Sequence, residues 1–250
     1  MSAAPRLVPT SDAAEWEARV HLAAAFRIAN RYGWNEGVAN HFSMMLPGSE
    51  DRYLLNPRGM HFTELTASNL MVVDGKGNKV SGYGEVRPVA FYLHGRLHQA
   101  LPKARCIIHA HPPHATAIAM IKGGRIPNAN GIMQRFAPKV AYDDAYGGPV
   151  NDEECDRIIK LVGDCTVLFH AMHGLTTMGE SVANAVDEFY FIERRCQYAL
   201  LAMQTGRELH EIPAHMLNGR YDDGFGVSNM QVHFDALLRL LDREEPSYKT

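Results

Sequence analysis

Apolar residues in this chain alternate with polar and glycine-rich stretches, and their spacing predicts a mixture of helices and strands. Apolar positions at helical spacing predict one helix that Ser11 or Asp12 caps and that ends near Tyr32, and a longer one from about Glu180 to Thr205. Short apolar runs bounded by turn residues predict strands up to about residue 46 and at 53–55, 71–73, 106–111 and 166–170. This mixture predicts an α/β fold.

Proline and capping residues mark further helices. We predict them at 88–100, from the prolines at 112–113 to about 121, at 152–162, and within a C-terminal extension, 213–250. Asp152 is the predicted cap of the third. Residues 123–150 are rich in Gly, Pro and Asn, which predicts an irregular segment with a functional or subunit-contact role. Residues 1–10 are predicted to form a loose arm.

Composition narrows the classes of function. The length of 250 residues fits a single domain, 1–250. The net charge of −3, without any basic block, gives no electrostatic footprint for nucleic acid. No apolar run reaches the ~20 residues of a membrane span, and no signal peptide is recognised. The four cysteines are scattered, Cys106 and Cys165 lie in apolar runs as expected of buried thiols, and a reducing cytoplasm is the expected location.

The stretch Cys106–His114 carries the clearest candidate chemistry. Side chains at i and i+2 of a strand share one face, so His109 and His111 are predicted to lie side by side where Pro112 ends the strand. Two neutral imidazoles on one face suit a divalent transition metal. The alternative is an ordinary pair of histidines that are hydrogen-bonded at a strand end.

Four short stretches form a distinctive combination: 31–43, 56–62, 109–112 and 173–175. Together they resemble the class II aldolase/adducin domain family over roughly residues 14–210. The resemblance implies a three-layer α/β/α sandwich with a central, mainly antiparallel sheet. It also implies one divalent transition metal (Zn, Mn, Fe or Co) per subunit, at a subunit interface that usually belongs to a homotetramer, with three ligands: His109, His111 and His173.

The chain departs from the sugar-phosphate aldolases of that family in two respects. Their catalytic glutamate aligns with Ala90 here, and the serine pair before it aligns with Pro88–Val89. Arg58 stands where their other phosphate loop has a threonine, whereas Asn40 and Gly59 still match the pocket. The resemblance therefore implies that the metal site is kept, while the usual acid/base and much of the phosphate cradle are lost.

Several residues are candidates to replace the missing groups. Glu85, in a glycine-rich loop, either re-enters the site or stays solvated, and it is also a candidate fourth ligand. For His114 three roles are open: a general acid, a residue that supports the metal ligands, or a side chain that only packs in the interior. Tyr142 and Tyr146 lie on the irregular segment. The aldolases of this family use a tyrosine from a similar region as a proton donor, so the resemblance makes both residues candidates for that role.

The former phosphate pocket is flanked by two arginines, Arg58 and Arg87. A planar guanidinium pairs bidentately with a carboxylate, so both are candidate substrate-binding residues; the alternative is that they are surface arginines. Three other histidines are assigned structural roles: His94, His98 and His170.

Three functions are compatible with these residues. The first is a metal-dependent decarboxylase of a hydroxylated aromatic or heteroaromatic (di)carboxylic acid, of use in the catabolism of aromatic compounds. This reaction needs one proton delivered to carbon and no sugar-phosphate pocket. The second is an aldolase or dehydratase for a small unphosphorylated hydroxy-oxo acid. The third is an adducin-like binding or assembly domain without catalysis, although such a domain has no physical need of three metal histidines.

Overall fold

The computed structural model describes residues 13–86, 88–129, 140–145, 148, 151–213 and 226–250, with the backbone alone at 88–90 and 226–229. The predicted N-terminal arm, 1–10, and two candidate site residues, Arg87 and Tyr146, lie outside the described residues. No helix within these ranges is long and apolar enough to cross a membrane.

Eight strands form one sheet in the described part of the chain. They are β1 (His41–Met45), β2 (Arg52–Leu55), β3 (Met71–Asp74), β4 (Lys79–Ser81), β5 (Cys106–Ala110), β6 (Val140–Asp143), β7 (Val167–His170) and β8 (Gly174–Gly179). Their order is β4-β3-β2-β1-β5-β8-β7-β6. Each neighbouring pair is antiparallel except β6 with β7, which confirms the predicted, mainly antiparallel sheet.

Helices cover both faces of this sheet and complete the three-layer sandwich. They are α1 (Ala13–Arg31), α2 (Pro88–Ala100), α3 (Pro113–Met120), α4 (Asp152–Val162), α5 (Val182–Met203) and α6 (Gly226–Glu244). Phe26 of α1 and Phe189 of α5 belong to the larger core, with Ile108 of the sheet. Leu97 of α2 belongs to a second core with Ile107, the next residue of the same strand, because successive strand residues face opposite sides.

The structure differs from the predictions in five local details. Asn151, not Asp152, caps α4, and its side chain accepts a hydrogen bond from the Glu154 N–H at 2.8 Å. Asp152 instead accepts hydrogen bonds from two side chains of α2, Tyr92 and Arg96. Strand β6 lies inside the segment predicted to be irregular, and β4 was not predicted, because both depend on pairing with a neighbouring strand. Helix α5 begins two residues later than predicted, with Ser181 as its cap. Cys165 is half-buried rather than buried.

The strand directions bring distant parts of the chain to one end of the sheet. Because neighbouring strands run in opposite directions, the start of one strand lies beside the end of the next. Strands β2, β5 and β7 end there, whereas β1 and β8 begin there. We call this the histidine end of the sheet, and its strand termini are His41, Leu55, Ala110, His170 and Gly174.

Candidate metal centre

Three imidazoles converge at the histidine end of the sheet. His109 is on β5, His111 follows that strand directly, and His173 lies in the turn between β7 and β8. One ring nitrogen from each lies within 4.8 Å of the other two. The Nε2 atoms of His109 and His173 are 3.1 Å apart, and the His111 ring centroid is 4.7 Å from that of His173. The structure therefore brings together the predicted ligand set.

The donor chemistry of this cluster fits a divalent metal. Nδ1 of His109 lies 3.1 Å from the Leu175 carbonyl oxygen, and a carbonyl only accepts, so Nδ1 carries the proton and Nε2 carries the lone pair. Burial lowers the pKa of His109 well below its ordinary value, so this ring is neutral. A neutral imidazole whose outer nitrogen donates to a carbonyl is the usual arrangement of a metal ligand. His109, His111 and His173 are thus the residues that would hold the ion.

Backbone geometry fixes the positions of the other two ligands. The His111 N–H donates to the Trp34 carbonyl at 3.1 Å, which anchors the residue after β5 has ended. A Cβ on Gly174 would lie 2.7 Å from Cδ2 of His111 and 2.8 Å from the Ala110 carbonyl oxygen, so only glycine permits this close approach. Met172, next to His173, has a φ of 60°, a strained conformation for a residue with a side chain. The turn that presents His173 is therefore tightly constrained.

A fourth imidazole lies beside the centre, and the sequence did not single it out. His41 of β1 is the register partner of His109 on β5, and their ring centroids are 5.0 Å apart. Nδ1 of His41 lies 3.1 Å from Nε2 of His94 on α2. Strand register was the signal that would have found His41, but register is not visible in a single sequence.

The three histidines assigned structural roles are all buried. Burial lowers the pKa of His94 well below its ordinary value and lowers the pKa values of His98 and His170 to about 3. All three rings are therefore neutral at physiological pH. Nε2 of His170 contacts Oγ1 of Thr176 at 2.8 Å, and the same oxygen lies 3.1 Å from Nδ1 of His109.

The predicted substrate-binding residues surround the same end of the sheet. Asn40 is buried, and its Nδ2 has no hydrogen-bond partner among the described residues. The Asn40 carbonyl accepts from Nδ2 of Asn56 at 3.3 Å, which joins the start of β1 to the loop after β2. In that loop the Arg58 N–H donates to the Glu85 carbonyl at 2.9 Å. The Arg58 and Glu85 side chains are exposed, so two charged groups of opposite sign lie on adjoining loops at this end of the sheet, which we call the rim of the site.

Two glycines make this rim possible. Gly59 follows Arg58 at a φ of 81°, in the left-handed region that favours glycine. Gly84 has a φ of 104°, and a Cβ there would lie 2.8 Å from Cβ of Pro57. The loop that carries Glu85 therefore packs closely on the loop that carries Arg58.

His114 is held by a buried carboxylate that sequence reasoning missed. Nδ1 of His114 donates to Oε1 of Glu193 at 2.6 Å, and Glu193 also accepts the backbone N–H groups of His114 and Ala115 at 3.0 and 2.8 Å. Glu193 thus satisfies the first amides of α3, which the preceding prolines cannot cap. The Nδ1 side of His114 is turned towards α5. A glutamate among the apolar residues of α5 was the available signal.

Tyr142 lies on the other face of the sheet from His109. Its ring stacks on Phe169 at 5.1 Å, within the core of α1 and α5, and its hydroxyl accepts from the Ile126 N–H at 3.2 Å. Burial raises the pKa of Tyr142 above its ordinary value. His109 alternates with Ile108 and so faces the α2 layer. The catalytic role predicted for Tyr142 stays a prediction, and these contacts give it no path to the metal centre of the same chain.

Comparison with known proteins agrees with this geometry. The family model of the class II aldolase and adducin N-terminal domain matches residues 20–200. A class 2 aldolase-like protein of Pseudomonas aeruginosa is 34% identical over 245 residues, which are 95% of this chain and 93% of that protein. Alpha-adducin of Rattus norvegicus is 34% identical over 178 residues, which are 70% of this chain and 24% of the adducin.

A solved structure shows the same fold over almost the whole length. The aldolase II superfamily protein from Pseudomonas syringae has a TM-score of 0.86 and 31% identity to this chain, and the likeness covers 96% of this chain and 97% of that one. Matched in sequence and in fold, this chain belongs to the class II aldolase/adducin family.

Proposed function

We propose that this chain is a metal-dependent lyase, and that its reaction is the non-oxidative decarboxylation of a hydroxylated aromatic or heteroaromatic (di)carboxylic acid. Family membership and the three-histidine cluster support the coarser assignment. The observation that carries the finer one is the place of Arg58, an exposed guanidinium on the loop that the Asn40–Asn56 hydrogen bond joins to β1. A guanidinium suits a substrate that bears a carboxylate rather than a plain hydroxyl.

The chemistry divides between the centre and its rim. A divalent metal held by the three imidazoles would supply a Lewis acid that draws electron density from a substrate oxygen. Arg58 binds a substrate carboxylate through paired N–H···O bonds and thereby orients the ring. The bond from ring carbon to carboxylate carbon breaks, CO2 leaves, and the electron pair stays on the ring carbon. One proton then replaces CO2, and Glu85 and His114 are the candidate donors.

The test of this proposal is to measure CO2 release from matched substrates under one set of conditions. The protein is stripped with a chelator and reloaded with Zn, Mn, Fe or Co in turn. We expect CO2 from ortho-hydroxy aromatic acids and dicarboxylic acids, and none from the para-hydroxy isomers, whose hydroxyl and carboxylate lie too far apart to enter one small site together. Absence of CO2 from every ortho substrate, with aldol cleavage of a small hydroxy-oxo acid, would reverse the assignment in favour of an aldolase or dehydratase.

Arg58→Ala tests the carboxylate contact. Loss of a charge-assisted hydrogen bond is expected to lower kcat/KM by about one to two powers of ten. Arg52→Ala is the matched control, because Arg52 is also exposed but begins β2, at the opposite end of the sheet from the loop after β2 that carries Arg58. An unchanged kcat/KM for Arg58→Ala would show that this side chain does not touch substrate.

The likeness to alpha-adducin favours a second candidate, a binding or assembly domain that does no chemistry. Metal analysis of the purified protein separates the two, because a scaffold needs no ion. Purified protein without Zn, Mn, Fe or Co that also fails to bind them on reloading would favour the scaffold. We further propose a homotetramer with the centre at a subunit interface, and sedimentation equilibrium measures its mass.

A further inference from the structure

A continuous line of hydrogen bonds leads from the backbone through the layer between α2 and the sheet to the metal centre. Nδ1 of His98 bonds the Ala104 carbonyl, and its Nε2 lies 2.7 Å from Oγ of Ser43. The same Oγ lies 2.7 Å from Nδ1 of His94, whose Nε2 lies 3.1 Å from Nδ1 of His41. We call these four side chains the buried relay, although the last of them is only partly buried: His98, Ser43, His94 and His41.

The proton positions in the buried relay follow from its first member. The Ala104 carbonyl only accepts, so His98 must donate from Nδ1, and because that ring is neutral its Nε2 must accept. The single hydroxyl proton of Ser43 therefore goes to His98. Ser43 has no proton left for His94, so it accepts from His94 Nδ1. Only 1% of His94 and 3% of His98 is exposed, and this burial favours neutral rings.

The same reasoning continues to the metal centre. A neutral His94 that donates from Nδ1 has its lone pair on Nε2, so the contact with His41 must be donated by Nδ1 of His41. The direction of the whole line cannot reverse, because a carbonyl oxygen at its origin never donates. The buried relay thus fixes the tautomer of each histidine, and it does not serve to transfer a proton in either direction.

We propose that the buried relay holds His41 in the Nδ1–H tautomer, so that Nε2 of His41 is a hydrogen-bond acceptor beside the three-histidine centre. The His41 ring lies 5.0 Å from the His109 ring, and the two residues are register partners on the same face of the sheet. In the proposed lyase, this nitrogen accepts a hydrogen bond from the substrate hydroxyl group and orients it; this step rests on the proposed function. His94, His98 and Ser43 are positioning residues.

Neutron diffraction tests the tautomers without any substrate. Crystals of the metal-free protein are exchanged into heavy water at pH 8, where an exposed imidazole is neutral. We expect deuterium on Nδ1 of His98, His94 and His41, and a Ser43 deuterium directed at His98. Deuterium on Nε2 of His94 or His41, whether instead of Nδ1 or in addition to it, would overturn the proposal.

Ser43→Ala tests the consequence for substrate. The variant breaks the line in the middle, and we expect kcat for the decarboxylated substrate to fall about tenfold or more while metal content is unchanged. Thr177→Val is the matched control, since Thr177 is also fully buried in the sheet but its hydroxyl donates to the Ala185 carbonyl, away from the relay. Equal kcat in Ser43→Ala and the wild type would overturn the orienting role.

The two experiments fail separately. The neutron experiment uses the unaltered, metal-free protein, so it remains decisive if Ser43→Ala does not fold, and it is independent of whether CO2 is released. If the expected tautomers are found but no lyase activity is detected, the proposed function is wrong and the proposed tautomers of the relay stand. If CO2 is released but the opposite tautomers are found, the proposed tautomers of the relay are wrong and the proposed function stands.

Discussion

Two groups of histidines meet where the His41 ring lies 5.0 Å from the His109 ring, and the same residue type is used in different ways in the two groups. In the metal centre, ring nitrogens of His109, His111 and His173 point at one another across less than 4.8 Å. In the buried relay, each ring nitrogen of His98 and His94 forms a hydrogen bond with a different partner, and these bonds follow one another along a chain. Both groups begin at a backbone carbonyl, Leu175 for the first and Ala104 for the second.

The difference lies in where the lone pairs go. A carbonyl at the outer nitrogen places the proton there in both groups and turns the lone pair inward. In the relay, Nε2 of His98 and Nε2 of His94 each accept a hydrogen bond from the next side chain, so these contacts are satisfied without an ion. In the metal centre the Nε2 atoms of His109 and His173 approach to 3.1 Å, a distance at which either an N–H···N hydrogen bond or a shared cation stabilises the pair. What distinguishes the metal centre is that ring nitrogens of three histidines lie within 4.8 Å of one another, whereas the ring nitrogens of the relay are paired one after another.

The largest expected effect comes from removing one converging ring. His111→Ala is expected to abolish metal binding and activity while the fold remains, because this side chain lies at a strand end and not in either core. Elemental analysis gives metal content, and thermal unfolding followed by circular dichroism checks the fold. His210→Ala, at an exposed histidine, is the control. Full activity and metal content in His111→Ala would end the assignment of the centre.

A smaller effect is expected from disturbing the ligands without removing any. In Gly174→Ala the new methyl group must displace the His111 ring or the Ala110 carbonyl, since a Cβ there has 2.7 and 2.8 Å contacts. Displaced ligands are expected to weaken metal binding about 10- to 100-fold, the range found when groups that support metal ligands are lost. Isothermal titration with one metal measures this affinity.

Gly75→Ala is the matched control for that substitution. Its Cβ would also have a 2.8 Å contact, but with the end of the flexible Gln99 side chain, which can move away. Equal metal affinity in the two alanine variants would show that the close approach at Gly174 does not define the centre.

The sequence predicted most of the metal centre but none of the relay. Alternation along β5 placed His109 and His111 together, and the family resemblance supplied His173. His41 and Ser43 share a face of β1, but their partners His94 and His98 come from α2, and nothing in the sequence states that this helix lies over that strand. Strand register and helix packing are settled by tertiary contacts, which local patterns do not record.

The smallest expected effect separates the relay from the centre by its response to pH. Burial holds the pKa of His98 at about 3 in the folded protein, against 6.5 in the unfolded chain. Below pH 6.5 the unfolded chain takes up a proton that the folded protein excludes, so the free energy of unfolding falls as pH decreases towards 3. Between pH 7.5 and 5.5 this one ring should remove about 1 kcal/mol. Urea unfolding of the metal-free protein should show a fall smaller by about that amount in His98→Gln, but not in His210→Gln. Parallel falls in both variants would mean that His98 is charged in the folded state, and the fixed tautomers of the relay would be lost with it.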